Sequence, residues 1–320
     1  MAEILEKWGQ TPFKLGSDPI FFCWIQDRCL PVSHCLLIAV VLFLSGLAGA
    51  FAAEAPEKPD DEALWEWRLA AFGRYGTAYP ASEDTQLNIV PLPFPVYRGR
   101  YLRLGEDSEN PIRGRIFRTD RIKLDLAFDL NFPVDSDDVD VRTGMPDLDL
   151  LLEVGPELEW EFLRPAPWNG KWYFSLQLRP AVSFDGLDPT YRGLVFAPEL
   201  TYRKRLGEGK DTLKLRLTPT FATSKYMDYF YTVDTAFATP ARPAYQADGG
   251  YLGTDLSLSW RNKIDDKLET MVGMRVSFHQ GAANRDSPLF TQDTTFAVYA
   301  AVTWKFWEGE RRVPRTDSLP

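Results

Sequence analysis

From residue 121 onward, apolar and polar side chains alternate with a period of two. In residues 121–132, Ile122, Leu124, Leu126, Phe128, Leu130 and Phe132 share one face, and Arg121, Lys123, Asp125, Asp129 and Asn131 share the other. A helix would repeat its apolar positions every three or four residues, so this segment reads as a strand. Residues 148–162 repeat the pattern, setting Leu150, Leu152, Leu158, Trp160 and Phe162 against Asp149, Glu153, Glu157, Glu159 and Glu161. Residues 171–184, 193–205, 212–222, 251–261, 267–278 and 295–306 behave alike. Strands of soluble proteins average about 5–6 residues, whereas a barrel strand crossing a membrane needs about 9–11. The repeats are of the second kind. They predict an all-β protein, a closed antiparallel transmembrane β-barrel with an apolar outer face and a polar lumen.

Connection lengths give a topology. Bacterial barrels have an even strand number, short periplasmic turns and longer outer loops. Taking 113–132 as one strand and 223–250 as a loop, and adding strands at 65–76 and 95–104, predicts ten strands. Residues 105–112, 163–170, 206–211 and 262–266 become periplasmic turns. Residues 77–94, 133–147, 185–192, 223–250 and 279–294 become outer loops. Trp67, Trp160, Trp172, Tyr202, Trp260 and Trp304 then gather at the periplasmic end, as an aromatic girdle should. A twelve-strand alternative splits 113–132 at Thr119-Asp120 and makes 227–234 a strand, which scatters these aromatics.

The first part of the chain reads as an export signal. Residues 35–52 hold a short apolar core, Leu36 to Leu44, followed by small residues and an Ala50-Phe51-Ala52 site for cleavage. The polar stretch 53–64 is then the mature N-terminus, 65–306 the barrel and 307–320 a polar tail. Residues 1–34 have no periodicity and precede the signal, which is the pattern of a translation start placed too far upstream. The expected location is the outer membrane, among lipid and lipopolysaccharide, with insertion by the barrel assembly machinery.

Composition narrows the chemistry. The net charge of −9 leaves little basic surface for phosphate contacts and argues against nucleic acid. All three cysteines, Cys23, Cys29 and Cys35, precede the apolar core, so the exported chain has no disulfide and no thiolate site. Its one histidine, His279, stands at the start of an outer loop near Ser277 and Ser287. A serine hydrolase would need a paired base there, but no motif surrounds it, and a solvated loop histidine is the expectation. The acidic run Asp135, Asp137, Asp138, Asp140, Asp147 and Asp149 lacks the Gly and distal Glu of a calcium loop, so it reads as a solvated acidic loop. No catalytic, cofactor or metal site is expected.

The lumen face carries both signs. Its acids are Asp125, Asp129, Glu153, Glu157, Glu159, Glu161 and Glu199, and its bases are Lys123, Arg179, Arg203, Arg205, Lys214, Arg216 and Arg275. Such a face can line a selective pore or fill a narrow barrel with ion pairs, and a ten-strand barrel favours the filled interior. The segment 223–250, rich in Tyr, Pro and Gly, suits either a lid over the outer mouth or a partner-binding loop.

Further motifs carry a resemblance. Pro91-Leu92-Pro93 is followed by Val96-Tyr97-Arg98-Gly99, and Leu148 to Gly155 leads into Pro156 and Glu157. Tyr226, Tyr229 and Val233 precede Pro243-Ala244-Tyr245 and Gly249-Gly250, and the chain closes on an aromatic strand. In order and spacing, over about residues 65–306, the chain resembles the MipA/OmpV outer-membrane proteins. The resemblance implies a non-enzymatic barrel. For the MipA branch it implies a scaffold that joins a lytic transglycosylase to a bifunctional penicillin-binding protein in murein synthesis. Other members resemble porins or adhesins. Barrels of this kind often end on the aromatic of the last strand, whereas here Phe306 is followed by a polar tail.

Overall fold

A computed structural model of the chain describes residues 61–99, 103–105, 114–119, 121–163, 170–207 and 210–314. The extension 1–34, the signal 35–52, most of the polar stretch 53–64 and the end of the tail lie outside the described residues. Within them the strands are β1 (Asp61–Ala63), β2 (Trp65–Thr77), β3 (Thr85–Arg98), β4 (Arg103–Leu104), β5 (Gly114–Arg118), β6 (Ile122–Asn131) and β7 (Leu150–Leu163). They continue with β8 (Lys171–Asp185), β9 (Asp188–Leu206), β10 (Asp211–Ala222), β11 (Gly250–Lys263), β12 (Leu268–Phe278), β13 (Thr294–Glu308) and β14 (Arg312–Pro314). One α-helix, α1 (Ser224–Tyr231), interrupts them between β10 and β11.

Each strand from β2 to β13 pairs antiparallel with its sequence neighbour, and β13 pairs in turn with β2, so the strand order is cyclic. Ten of these strands have ten residues or more, and β4 and β5 are short pieces between β3 and β6. Outside the ring, β1 pairs with β14 and clasps the two ends of the described chain together. The clasp continues into the wall, because Leu64 N–H donates to Arg311 O at 2.7 Å.

Alternation decides which side chains face out. On β7, Leu158, Trp160 and Phe162 are exposed while Glu153, Glu157, Glu159 and Glu161 are buried. The same inversion holds on β8, where Phe174, Leu176 and Leu178 face out and Tyr173, Ser175 and Arg179 face in. A polar interior and an apolar exterior are the reverse of a soluble sandwich. The predicted girdle is present: Trp67, Trp160 and Trp304 are exposed at one end, joined by Trp65, Phe162, Phe306 and Trp307. Trp172 packs on Tyr202 at 5.1 Å between ring centroids, at the same end.

The topology departs from the expected one in three places. The strand expected at 95–104 lies at Thr85–Arg98, so the outer loop expected at 77–94 shrinks to 78–84. Pro91, Pro93 and Pro95 hid it, since three prolines in a row of alternate positions read as loop. They are tolerated because of where their nitrogens point. Arg98 N–H donates to Leu64 O, on the β2 side. The register with β2 is unbroken, and alternate residues of a strand turn their polar groups to opposite edges. The three proline nitrogens therefore face away from β2, where no donor is lost to that ladder.

The single strand expected over 113–132 breaks into β5 and β6 at Thr119, whose Oγ1 accepts from Ile122 N–H at 3.0 Å and closes a turn. The accompanying alternative strand at 227–234 is instead helix. The outer loop expected at 185–192 is a two-residue turn at Gly186-Leu187, with Gly186 at φ 60°, so β8 and β9 run on to meet each other. Extra register pairs outweigh a loop wherever the flanking chain can continue its alternation.

Among the described residues, β3 and β6 are joined only through β4 and β5, at the girdle end. Farther out, Leu130 N–H on β6 is taken by Asp129 Oδ1 at 2.9 Å instead of by a neighbouring strand. Leu87 and Ile89 of β3 are 61% and 71% exposed, well above most of the outward wall.

Candidate functional site

The interior divides into an outer cap, a charged lumen and the clasp. The cap is built on α1. Its sequence places Tyr226 and Phe230, and Met227 and Tyr231, at helical i, i+4 spacing, so one face is aromatic. All four are buried, with Tyr79, Val134, Leu148, Leu151, Val233 and Leu289 around them. Their hydroxyls reach across the mouth. Tyr231 Oη donates to Pro80 O at 2.9 Å, Tyr229 Oη to Asp149 O at 3.0 Å and Tyr79 Oη to Leu289 O at 2.6 Å. Ser287 Oγ donates to Tyr231 O at 2.7 Å, and Arg142 Nη1 to Phe230 O at 3.3 Å. Burial pushes the Tyr79 phenol up to about 12 and holds Tyr226 and Tyr231 well above the ordinary tyrosine value. These groups are neutral donors at any pH the surface meets.

Close approach of α1 to the wall needs glycine. Gly193 sits at φ 111°, and a Cβ there would lie 2.4 Å from Thr223 Oγ1 and 2.9 Å from Tyr226 N. Gly193→Val is expected to lower unfolding stability by about 2 kcal/mol or more, from backbone strain and displacement of the helix. Urea titration of vesicle-embedded protein measures this.

Below the cap, Glu153 is 1% exposed and bound on three sides. It accepts from Tyr226 Oη at 2.7 Å, from Arg179 Nε at 3.0 Å and from Asn131 Nδ2 at 3.3 Å. Farther down, Glu159 meets Lys123 Nζ at 2.5 Å and Arg203 Nη2 at 3.6 Å. At the girdle end, Arg98 pairs with Glu66 at 2.9 Å and with Glu62 of β1 at 3.1 Å. A cavity of about 40 Å³ remains among Glu157, Glu199, Thr201, Lys214 and Arg216, room for a few waters. The charges singled out in the sequence thus meet one another across the lumen.

The other candidates resolve differently. His279 is neither catalytic nor solvated. It is buried, its Nδ1 lies 3.0 Å from Leu252 O, and its Nε2 lies 3.3 Å from Thr295 Oγ1. Ser287 is occupied by Tyr231 O, so the serine and histidine serve separate parts of the cap. The aspartates of 135–149 are partly spent on backbone: Asp135 accepts from Asp137 N–H, Asp147 from Ser136 N–H and Asp137 from Gly144 N–H. Among the described residues no group of His, Cys, Asp and Glu could hold a metal ion.

Asp84 stands apart. Burial, with Asp140 and Glu83 close by, raises its carboxyl above the ordinary value, and its Oδ2 has no partner. A raised folded pKa means that its contribution to stability is present below the unfolded value and is lost as pH rises through the folded value. Asp84→Asn is expected to stabilise the cap at neutral pH and to leave it unchanged in acid. Thermal unfolding at both pH values tests the sign.

Sequence reasoning missed the cap's organising residues, Tyr226 and Arg142. The aromatic i, i+4 spacing in 226–231 was the available signal. It also missed Arg74, Gln86 and Asn88, which only the strand register brings together.

Fold and interior define a class: an antiparallel barrel with an apolar exterior, a charge-filled interior and one mouth capped by its own loops. Residues 69–306 match the family model of MltA-interacting protein MipA, and the chain belongs to that family. No curated protein matches. Among solved structures, the NanC porin aligns over 74% of this chain and 100% of its own at 9% identity and a TM-score of 0.37. An outer-membrane channel from Pseudomonas putida F1 aligns over 79% and 100% at 13% identity and 0.35. The CymD monoaromatic hydrocarbon channel aligns over 77% and 90% at 8% identity and 0.32. Scores this low carry no strand-for-strand correspondence.

Proposed function

We propose that the chain is a non-enzymatic barrel of the outer membrane, exported by a cleaved signal and closed to ions in its resting state. Its periplasmic end serves as an anchor for murein-synthesising and murein-hydrolysing enzymes. The observation that carries the closed state is the cap: α1 and the outer loops pack as an apolar core across the mouth, above a lumen of paired charges. An apolar wall with an aromatic girdle supports the membrane location. The family's name supports a murein transglycosylase as partner, with a bifunctional penicillin-binding protein as the synthase it is brought to. The clasp and the girdle end are the parts that reach the periplasm. Affinity capture from envelope extracts, with the folded barrel as bait, is expected to retain a transglycosylase and a synthase. Capture of neither by well-folded protein overturns the anchor reading.

A gated channel is the competing reading. It is favoured by the two-signed lumen, which would be a ready ion path once the cap moved. Steady conductance steps from the unmodified protein in planar bilayers would establish it.

A further inference from the structure

The inner wall of the β2–β3 hairpin differs from the rest of the lumen. Its register sets Arg74 opposite Asn88, Gly76 opposite Gln86, Phe72 opposite Val90 and Ala70 opposite Leu92. These positions share the inward face with Glu66, Phe94, Val96 and Arg98, all buried. Toward the capped end this face carries donors in want of acceptors. Gln86 Nε2 and Asn88 Nδ2 are buried without a hydrogen-bond partner. Arg74 makes only two contacts of 3.4 Å with Thr77 O and no ion pair among the described residues. Elsewhere the lumen's arginines meet carboxylates, as Arg179, Arg203 and Arg275 do. Arg275 lies within electrostatic reach of Arg74 and adds a second positive charge there. Toward the girdle end the same face turns apolar, through Phe72, Val90 and Leu92, and Phe132 stacks on Phe72 at 6.3 Å.

Buried donors without acceptors are rare in folded proteins and mark a place where something else belongs. Two amides and a guanidinium converging on one spot suit an anionic head with several acceptor oxygens. An apolar strip running from that spot suits an alkyl chain. The flank of β3 is suited to entry from the side. Its edge away from β2 lacks three donors at Pro91, Pro93 and Pro95, so no strand can ladder fully against it.

We propose that this corner binds a single-chain anionic amphiphile. Its carboxylate or phosphate lies against Arg74, Asn88 and Gln86, its alkyl chain lies along Phe72, Val90 and Leu92, and it enters from the membrane past the proline edge of β3. The site does not depend on the anchor reading, because capture of murein enzymes and binding of an amphiphile are separate measurements.

The test uses the full barrel in phosphatidylcholine nanodiscs, with empty discs as the baseline. Calorimetric titration with oleate and with oleoyl lysophosphatidate is expected to show saturable binding above that baseline, and the tighter of the two identifies the head group. Oleyl alcohol is expected to bind about tenfold more weakly, and inorganic phosphate not to bind, since head and chain are both needed. Arg74→Gln is expected to weaken oleate about tenfold, the worth of one charge-assisted hydrogen bond, and to leave the alcohol unchanged. Asn88→Leu is the second variant, with heat-modifiable gel mobility as the check that each has folded, and it decides the matter if Arg74→Gln fails that check. Equal binding of oleate and its alcohol, uptake no greater than in empty discs, or folded variants with unchanged affinity would overturn the proposal.

Discussion

The double variant Tyr226→Ala/Phe230→Ala opens the barrel to ions, while the unmodified protein passes none in the same bilayer. Both rings lie on the buried face of α1, stacked edge-on at 5.3 Å, and Phe230 also stacks on Tyr79 at 6.5 Å. Each truncation of a large buried aromatic costs about 3–5 kcal/mol, which is most of what a small packed unit has. Removal of Tyr226 also takes one donor from Glu153. The carboxylate then faces a wetter mouth, with Arg179 as its remaining cation. Loss of the helix alone leaves β10 and β11 paired by their ladder, so the wall survives while its plug melts. Single-channel recording checks the outcome, with circular dichroism to show that strand content is retained. A variant that stays silent while its strands persist would show that the lumen's charges alone close the path.

A second large effect is expected at Arg179. Arg179→Leu leaves Glu153 buried with its cation gone, and stranding one member of such a pair costs about 3–5 kcal/mol. The triple variant Glu153→Leu/Arg179→Leu/Tyr226→Phe is expected to recover most of the loss, because replacing a whole buried network with apolar groups is nearly neutral. Urea unfolding from lipid vesicles, followed by tryptophan fluorescence, gives both values. If the single variant costs under about 1 kcal/mol, the pair is solvated in the membrane and contributes little.

Much of the wall was legible in the period of two, because each strand has one face toward an apolar surround and one toward charge. Where alternation was clean, as over Leu150–Leu163 and Thr294–Glu308, expected and observed strands agree within two residues. Where the signal failed, a local rule had been outweighed by geometry. Prolines 91, 93 and 95 are strand breakers unless all three fall on an edge that needs no donors. Residues 113–132 alternate throughout, yet Thr119 can close a turn with its own hydroxyl. The lumen charges were legible as a set but not as partners. That Glu153 would meet Tyr226, 73 positions away, depends on how a loop folds back into the mouth. His279 read as a loop residue because burial by Phe290 and Leu252 comes from distant segments. The donors of Arg74, Gln86 and Asn88 are ordinary in sequence, and their convergence is a product of register.

The clasp has a mechanical consequence. Asp61 pairs with Pro314 and Ala63 with Arg312, so the outermost pair joins the residues from which the two chain ends depart. Tension applied between those ends peels β1 from β14 one pair at a time, the weak direction for a hydrogen-bonded ladder. The seam between β13 and β2 has eleven pairs and feels load only after those three have parted. A barrel tethered through its tail to a moving cell wall would then yield first at a short strip of no structural importance to the wall. The strip can re-form when the pull relaxes, so it works as a fuse that resets.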